Sequence, residues 1–189
     1  MSTLSFAGFE SLPISESDKH RLAREVDVLK FHKGELIIRQ NECCSRVFFI
    51  RSGLIKLSYI TLEGKEFIKS FLQKGDLLGS LYSQISGGGS TFNAEAMDAV
   101  EVEALDYCIF QELIEKNTSL QLFALNFFRH LALKKEMREY ELLCLSAEQR
   151  YERFCEKHPL LVKKIKQADL ALYLGITPIA LSRIKHRVS

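Results

Sequence analysis

The stretch "IKQADLALYLGITPIALSRIKHR", residues 165–187, contains the pattern of two short helices joined by a tight turn. Gly175 lies where the first helix would end in a left-handed conformation. Thr177 can cap the second helix, with Pro178 at its first helical position. The apolar residues spaced to form one small core between the helices are Leu170, Leu174, Ile176, Leu181 and Ile184. This combination predicts a helix-turn-helix.

A helix-turn-helix is typical of proteins that read the major groove of DNA with the second helix. Arg183 can donate two hydrogen bonds to a guanine edge, and Ser182 can reach a base or a phosphate. The predicted DNA-binding residues are Thr177, Pro178, Ile179, Ser182, Arg183, Lys185 and Arg187. A plain helical hairpin with a basic surface is the alternative.

The formal net charge of +2 is unevenly distributed along the chain. Residues 146–189 contain nine Lys or Arg against four Asp or Glu, a net +5, which leaves −3 for residues 1–145. A basic segment on an acidic body indicates a polyanionic partner, although a solvated helix face with excess lysine explains the charge equally well.

The region from about residue 31 to residue 105 has the pattern of short strands. The runs "VFFI", "GLIKLSYI", "EFIKSFL" and "VEVEAL" are rich in β-branched and aromatic residues, and glycines separate them. "LEGK", residues 62–65, predicts a tight hairpin. Since no helix-length segment stands between the runs, the pattern favours an antiparallel sandwich or barrel over a parallel α/β sheet.

Residues 119–145 form the longest segment that predicts a helix, because some seven turns pass without glycine or proline. Apolar residues near its start suit packing within the chain, and a second stripe recurs at three- and four-residue steps, as in a coiled coil. The predicted dimer interface consists of His130, Leu133, Met137, Tyr140 and Cys144. A helix that packs only within the monomer is the alternative.

The order of these parts resembles the Crp/Fnr family of bacterial transcription regulators. "GDLLGSL" (residues 75–81), "EGKEFIKSFLQKGD" (63–76) and "LYLGITPIALSRIKHR" (172–187) are similar to that family's loop, hairpin and helix-turn-helix. The resemblance implies an α+β fold with an antiparallel double-stranded β-helix (jelly-roll) barrel. It implies a cyclic-nucleotide-binding-like effector barrel over residues 1–118, a dimerisation helix over 119–145 and a helix-turn-helix domain over 146–189. The sequence ends two residues after Arg187, so no C-terminal wing is expected.

The function implied by the resemblance is an effector-responsive, sequence-specific transcription regulator that acts as a homodimer. Its implied partners are double-stranded DNA, a second copy of the chain and RNA polymerase. A ligand-binding or protein-interaction module with a vestigial helix-turn-helix is the alternative. The effector, the operator and the choice between activation and repression are not determined by the sequence.

The effector pocket implied by the resemblance comprises Gly79, Ser80, Leu81, Ser90, Thr91 and Lys135. Ser80 stands where the family has a phosphate-binding Glu, and its Arg-Ser pair falls on Ser90 and Thr91. Its base-contacting Thr/Ser pair falls on Lys135 and Glu136. A cyclic phosphate held away from water needs a charge-assisted partner such as arginine. We therefore expect weak cyclic nucleotide binding, no cofactor, and a pocket that is empty or takes a small neutral or weakly acidic ligand.

Other functional classes find little support in the sequence. No apolar run approaches the ~20 residues that span a bilayer, and the N-terminus does not resemble a secretory signal. Five cysteines without C-x-x-C spacing indicate a reduced, cytoplasmic protein. His32 is the one histidine on the predicted barrel strands, so neither a metal site nor catalytic residues are predicted, and the protein is not expected to be an enzyme. A redox role for Cys43 and Cys44 is left open.

Overall fold

The structure is a computed structural model that describes residues 8–188. A 3₁₀ turn at Phe9–Ser11 precedes the regular elements. The strands are β1 (Asp27–Phe31), β2 (Leu36–Ile38), β3 (Arg46–Ser52), β4 (Leu54–Ile60), β5 (Glu66–Gln73), β6 (Leu77–Leu78), β7 (Asn93–Ala96) and β8 (Val100–Asp106). The helices are α1 (Glu16–Glu25), α2 (Leu81–Ser86), α3 (Tyr107–Lys116), α4 (Thr118–Cys144), α5 (Ala147–Lys157), α6 (Leu161–Lys164), α7 (Gln167–Leu174) and α8 (Pro178–Val188).

The strands form two antiparallel four-stranded sheets, in the orders β1-β8-β3-β6 and β2-β7-β4-β5. Apolar side chains from both sheets, such as Ile50 on β3 and Ile55 on β4, share one fully buried core. The predicted α+β class and antiparallel double-sheet arrangement are confirmed. The sheets do not join into one closed layer, so the term barrel describes them only loosely.

The tight hairpin predicted at residues 62–65 connects β4 to β5, with Thr61 donating its N–H to the carbonyl of Lys65 at 3.0 Å. The short helix α2 was not predicted within the strand region. The Ser80 hydroxyl caps it by accepting a hydrogen bond from Ser83 N at 3.4 Å. Gly87 ends it in a left-handed conformation with φ of +71°. A serine and a glycine that flank a six-residue segment are the signals that could have indicated this helix.

The C-terminal helices follow the sequence prediction closely. A capping box joins Ser146 and Gln149 at the start of α5. Gly175 ends α7 with φ of +70°, and Thr177 Oγ1 accepts a hydrogen bond from Ala180 N at 3.2 Å to cap α8. The predicted core residues Leu170, Leu174, Leu181 and Ile184 are buried, and Ile176 is half-buried. The helix-turn-helix is therefore present in the fold.

The helix-turn-helix packs against the outer face of the sheet that contains β4 and β5. Leu54 and Phe71 of that sheet enter one buried cluster with Phe154, Leu170 and Leu174 of the C-terminal helices. Aromatic rings provide part of the contact, with 6.5 Å between the centroids of Phe71 and Phe154. The sequence pattern alone did not indicate this packing, because residues far apart in the chain form it.

Helix α4 is packed at its start and exposed farther along. Leu120 and Ala124 are buried near its N-terminus, where Leu120 joins a second core with α1, α3 and the 3₁₀ turn. The boundary predicted between residues 118 and 119 falls in the first turn of this helix. Among the described residues, no helix is both long enough and apolar enough to cross a membrane.

Candidate nucleic-acid interface and effector pocket

Helix α8 presents a polar and basic face to solvent. Leu181 and Ile184 anchor the opposite face in the core of the helix-turn-helix. Of the predicted DNA-binding residues, the exposed ones are Thr177, Pro178, Ile179, Ser182, Arg183 and Arg187. Lys185 is half-buried. The first turn contains no acidic residue, so the N-terminus of α8 keeps the partial positive charge that attracts phosphates.

Part of the basic charge counted in the C-terminal segment has a structural role. The Arg150 guanidinium donates to the carbonyl oxygens of Leu174 at 3.1 Å and Leu145 at 2.7 Å. It thereby ties the end of α7 to the end of α4. Lys157 forms an ion pair with Glu141 at 2.6 Å. The net charge of the segment therefore overstates the charge available to a polyanion.

The residues predicted for the dimer interface lie together on the outer surface of α4. All of them are exposed in the single chain: His130, Leu133, Met137, Tyr140 and Cys144. Other apolar side chains on the same helix are exposed as well, with Leu143 at 77% and Phe128 at 45%. This much apolar surface on one helix is a common mark of a protein interface.

The loop predicted to hold a phosphate is occupied by its own hydrogen bonds. Ser80 and Ser90 are both fully buried. The Ser80 hydroxyl caps α2, and the Ser90 hydroxyl donates to the carbonyl of Phe92 at 2.9 Å. Thr91, by contrast, is exposed. Two of the hydroxyls that were expected to face a ligand therefore stabilise the loop itself.

Gly89 of this loop also has a structural role. A Cβ at Gly89 would lie 2.3 Å from the carbonyl oxygen of Asn41, so only glycine permits this approach. Ser90 secures the contact on both sides, accepting from Asn41 N at 2.7 Å and donating to the carbonyl of Glu42 at 2.8 Å. The loop is therefore closely packed between β6 and β7.

A lysine that the sequence analysis did not single out lies on the sheet near this loop. Lys69 is half-buried, with Nζ 3.8 Å from the ring centroid of Phe92 and 5.6 Å from that of Tyr59. Burial, and then the charge of Lys135 on α4, lower the pKa of Lys69 to about 8. A lysine within the apolar run "EFIKSFL" was the signal available in the sequence. The charge of Lys135, a predicted pocket residue, therefore acts on Lys69.

A second lysine, Lys56 on β4, is buried where the sheet meets α7. Its Nζ lies 3.0 Å from Glu66, 3.3 Å from Glu95 and 3.8 Å from Asp169. Burial acts to lower the pKa of Lys56, but the hydrogen bond to Glu66 and the three nearby carboxylates raise the pKa above its usual value. Lys56 therefore stays charged and joins the sheet to the helix-turn-helix.

All five cysteines lie within the described residues and none forms a disulfide. A shallow cavity of about 180 Å³ is lined by Arg39, Cys43, Cys44 and Arg46, among others, but by none of the predicted pocket residues. Across residues 8–188, no group of three or more His, Cys, Asp or Glu side chains is arranged to hold a metal ion.

Comparison with known proteins finds one matching family and several proteins of similar sequence. The family described as "Cyclic nucleotide-binding domain" matches residues 28–117. The cAMP-activated global transcriptional regulator CRP of Salmonella typhimurium is 30% identical over 91 residues, which are 48% of this chain and 43% of that protein. The chain thus spans less than half the length of this relative.

Two further likenesses cover more of the chain. The fumarate and nitrate reduction regulatory protein of Vibrio cholerae is 26% identical over 188 residues, covering 92% of this chain and 74% of the relative. Among solved structures, FixK2 from Bradyrhizobium japonicum has a similar fold, with a TM-score of 0.77 and 18% identity over 86% of this chain and 84% of that one.

Proposed function

We propose that this chain is a member of the Crp/Fnr family, and that it binds specific double-stranded DNA as a homodimer and regulates transcription in response to an effector. In this proposal residues 1–118 sense the effector, 119–145 dimerise and 146–189 bind DNA. RNA polymerase is the further partner, and the cytoplasm, where bacterial DNA lies, is the expected location.

The exposed face of α8 is the main observation that supports DNA binding. Gly175 and Thr177 set the turn, and Leu181 and Ile184 fix which side of α8 faces inward. As a consequence Ser182, Arg183 and Arg187 are exposed to solvent, whereas Lys185 is half-buried. Helices of this kind enter the major groove by their N-terminal half, where an arginine can read guanine through two hydrogen bonds.

The exposed stripe on α4 supports the homodimer. Leu133, Met137 and Tyr140 repeat at the spacing of a coiled-coil seam, and each is more than 40% exposed in the single chain. A second copy of α4 packed along the stripe would remove these side chains from water. Two copies of α8 would then bind half-sites about 10–10.5 base pairs apart, since that is the spacing of successive major grooves on one side of DNA.

Selection from a random duplex DNA library tests the proposal. The full chain should enrich a roughly palindromic sequence, and its affinity should fall steeply between about 50 and 200 mM salt because phosphate contacts release counterions. Enrichment of no sequence, together with binding that does not depend on salt, would favour the alternative of a ligand-binding or protein-interaction module.

A further inference from the structure

Helix α8 exposes a large apolar side chain in its first turn. Ile179 is the second residue of the helix and is 67% exposed. Leu181 and Ile184 are buried in the core of the helix-turn-helix, and together they fix the rotation of α8 about its axis. Ile179 therefore faces outward because of how the helix packs, and it contributes little to the core beneath.

Ile179 shares its face of α8 with two polar residues. Ser182 and Arg183 lie three and four residues farther along, and residues at these spacings are neighbours on the surface of a helix. Both are exposed, and both are among the residues predicted to contact DNA. Ile179 is thus the apolar end of the face that is proposed to read the base edges.

The side chains of the first turn offer no hydrogen bond to a base. Pro178, Ile179 and Ala180 begin the helix, and their side chains contain neither a donor nor an acceptor. The Thr177 hydroxyl, just before them, already accepts a hydrogen bond from Ala180 N at 3.2 Å. Contact between this turn and a base edge is therefore mainly apolar, and Ile179 is the largest of the three side chains.

Thymine is the base that presents an apolar group in the major groove. Its C5-methyl group lies there, whereas the edges of adenine, guanine and cytosine present hydrogen-bond donors and acceptors. An apolar side chain placed against such a polar edge would remove it from water without replacing its hydrogen bonds, which costs free energy. Contact with the methyl group instead buries apolar surface on both sides. An outward isoleucine therefore favours thymine over the other bases.

We propose that Ile179 is a specificity-determining residue, which selects thymine by contacting its C5-methyl group in the major groove. This inference rests on the proposed function, in which α8 enters that groove. Ile179 and Arg183 are about 6 Å apart along the helix axis, since each residue adds about 1.5 Å. Successive bases of one strand are about 3.4 Å apart, so the thymine is expected within about three base pairs of the guanine that Arg183 reads.

Uracil substitution in the selected duplex tests this role. Uracil has the hydrogen-bonding edge of thymine and lacks only the C5-methyl group. Each thymine of the sequence enriched by the full chain is replaced in turn, at symmetric positions of both half-sites, and fluorescence anisotropy measures the affinity. We expect one position at which uracil weakens binding about tenfold or more, since burial of one methyl group accounts for about fourfold in each half-site.

Substitutions assign the lost affinity to Ile179. Ile179→Ala should bind the thymine and uracil duplexes alike at that position, and Ile179→Val, which keeps part of the apolar contact, should retain part of the difference. Ile85→Ala is the matched control, because it truncates an isoleucine that is 72% exposed on α2, and it should keep the full difference. Circular dichroism checks that each variant is folded.

The outcomes separate this role from the proposed function. Enrichment of no sequence by the full chain would overturn both. A chain that enriches a sequence but tolerates uracil at every thymine, or whose half-site contains no thymine, overturns the role of Ile179 and leaves the DNA-binding function intact. A uracil effect of equal size in Ile179→Ala would also overturn the role, because the methyl group would then act through another residue or through the shape of the DNA.

Discussion

Lys56 Nζ on β4 lies 3.8 Å from Asp169 Oδ1 on α7, so one buried ammonium joins the sheet to the first helix of the helix-turn-helix. The same ammonium also pairs with Glu66 and Glu95 on the sheet. The cluster connects the two parts of the chain whose coordination the proposed function requires.

Lys56→Met should lower the free energy of unfolding by about 2 kcal/mol, because it leaves three carboxylates close together without their cation. The loss is smaller than for a fully buried pair, since Glu66 and Glu95 retain contact with water. Urea unfolding measures the change, with the exposed Lys33→Met as the control. Equal stability of the two variants would show that the cluster contributes nothing.

The pH dependence of the free energy of unfolding should reveal the lowered pKa of Lys69. Its pKa of about 8 in the folded chain is below that of an unfolded lysine, so folding carries a penalty for the charge at pH 7. Because the unfolded chain binds more protons between about pH 8 and pH 10, this penalty should diminish as the pH rises through that range. Lys69→Met should therefore stabilise the protein by about 1–2 kcal/mol at pH 7 and by much less at pH 10.

Urea unfolding at both pH values measures the effect of Lys69→Met. The same pair of measurements on Lys33→Met corrects for general charge effects. A destabilised Lys69→Met protein at pH 7 would mean that the contact of Lys69 with the Phe92 ring outweighs the cost of burial.

Met137→Lys should shift the protein from dimer to monomer at micromolar concentration. In a symmetric pairing along α4, two copies of the new charge would face each other away from water. Sedimentation velocity measures the change. Glu139→Lys is the control. It changes the net charge by two instead of one, but it lies two residues farther along α4 and on a different face of the helix, so it should leave the dimer intact. If the unsubstituted chain sediments as a monomer, the dimer proposal is wrong.

Arg183→Ala should cost roughly 1–3 kcal/mol of DNA-binding free energy and relax specificity at one base position. Arg187→Ala should instead weaken binding to all sequences alike and reduce the salt slope by about 1, as expected for a phosphate contact. Fluorescence anisotropy with the selected site and a scrambled duplex distinguishes the two effects. Arg24→Ala, an exposed arginine on α1, is the matched control.

Cyclic AMP and cyclic GMP should not bind at micromolar concentration. The hydroxyls of Ser80 and Ser90 are hydrogen-bonded within their loop, so a cyclic phosphate would have to displace those bonds and would still lack an arginine partner. Isothermal titration measures the affinity. Micromolar binding that Thr91→Val abolishes would contradict this expectation and show that the backbone amides of the loop suffice.

The sequence predicted those features that depend on neighbours in the chain. The turn at Gly175, the cap at Thr177 and the uninterrupted helix α4 follow from local conformational preferences, and the structure contains them. Helix α2 was missed because six residues carry little periodic signal.

The features that the sequence could not predict depend on distant partners. The position of Lys69 follows from a shift of register between two strands, which no single strand encodes. Arg150 looked like a charge available to a polyanion, but its guanidinium binds two carbonyl groups brought near by the packing of α4 and α7. The roles proposed for α8 and for the outer face of α4 remain predictions that await the experiments above.

The buried cluster shared by β4, β5 and the C-terminal helices bears on how the chain can be divided. Phe71 and Leu54 lie before the long helix in sequence and Phe154 and Leu170 after it, yet they bury one another. A chain cut near Ser146 would leave each fragment with apolar surface that only the other fragment covers. The helix-turn-helix is therefore expected to be a poor autonomous folding unit, and its stability should rise and fall with that of the sheet beneath it.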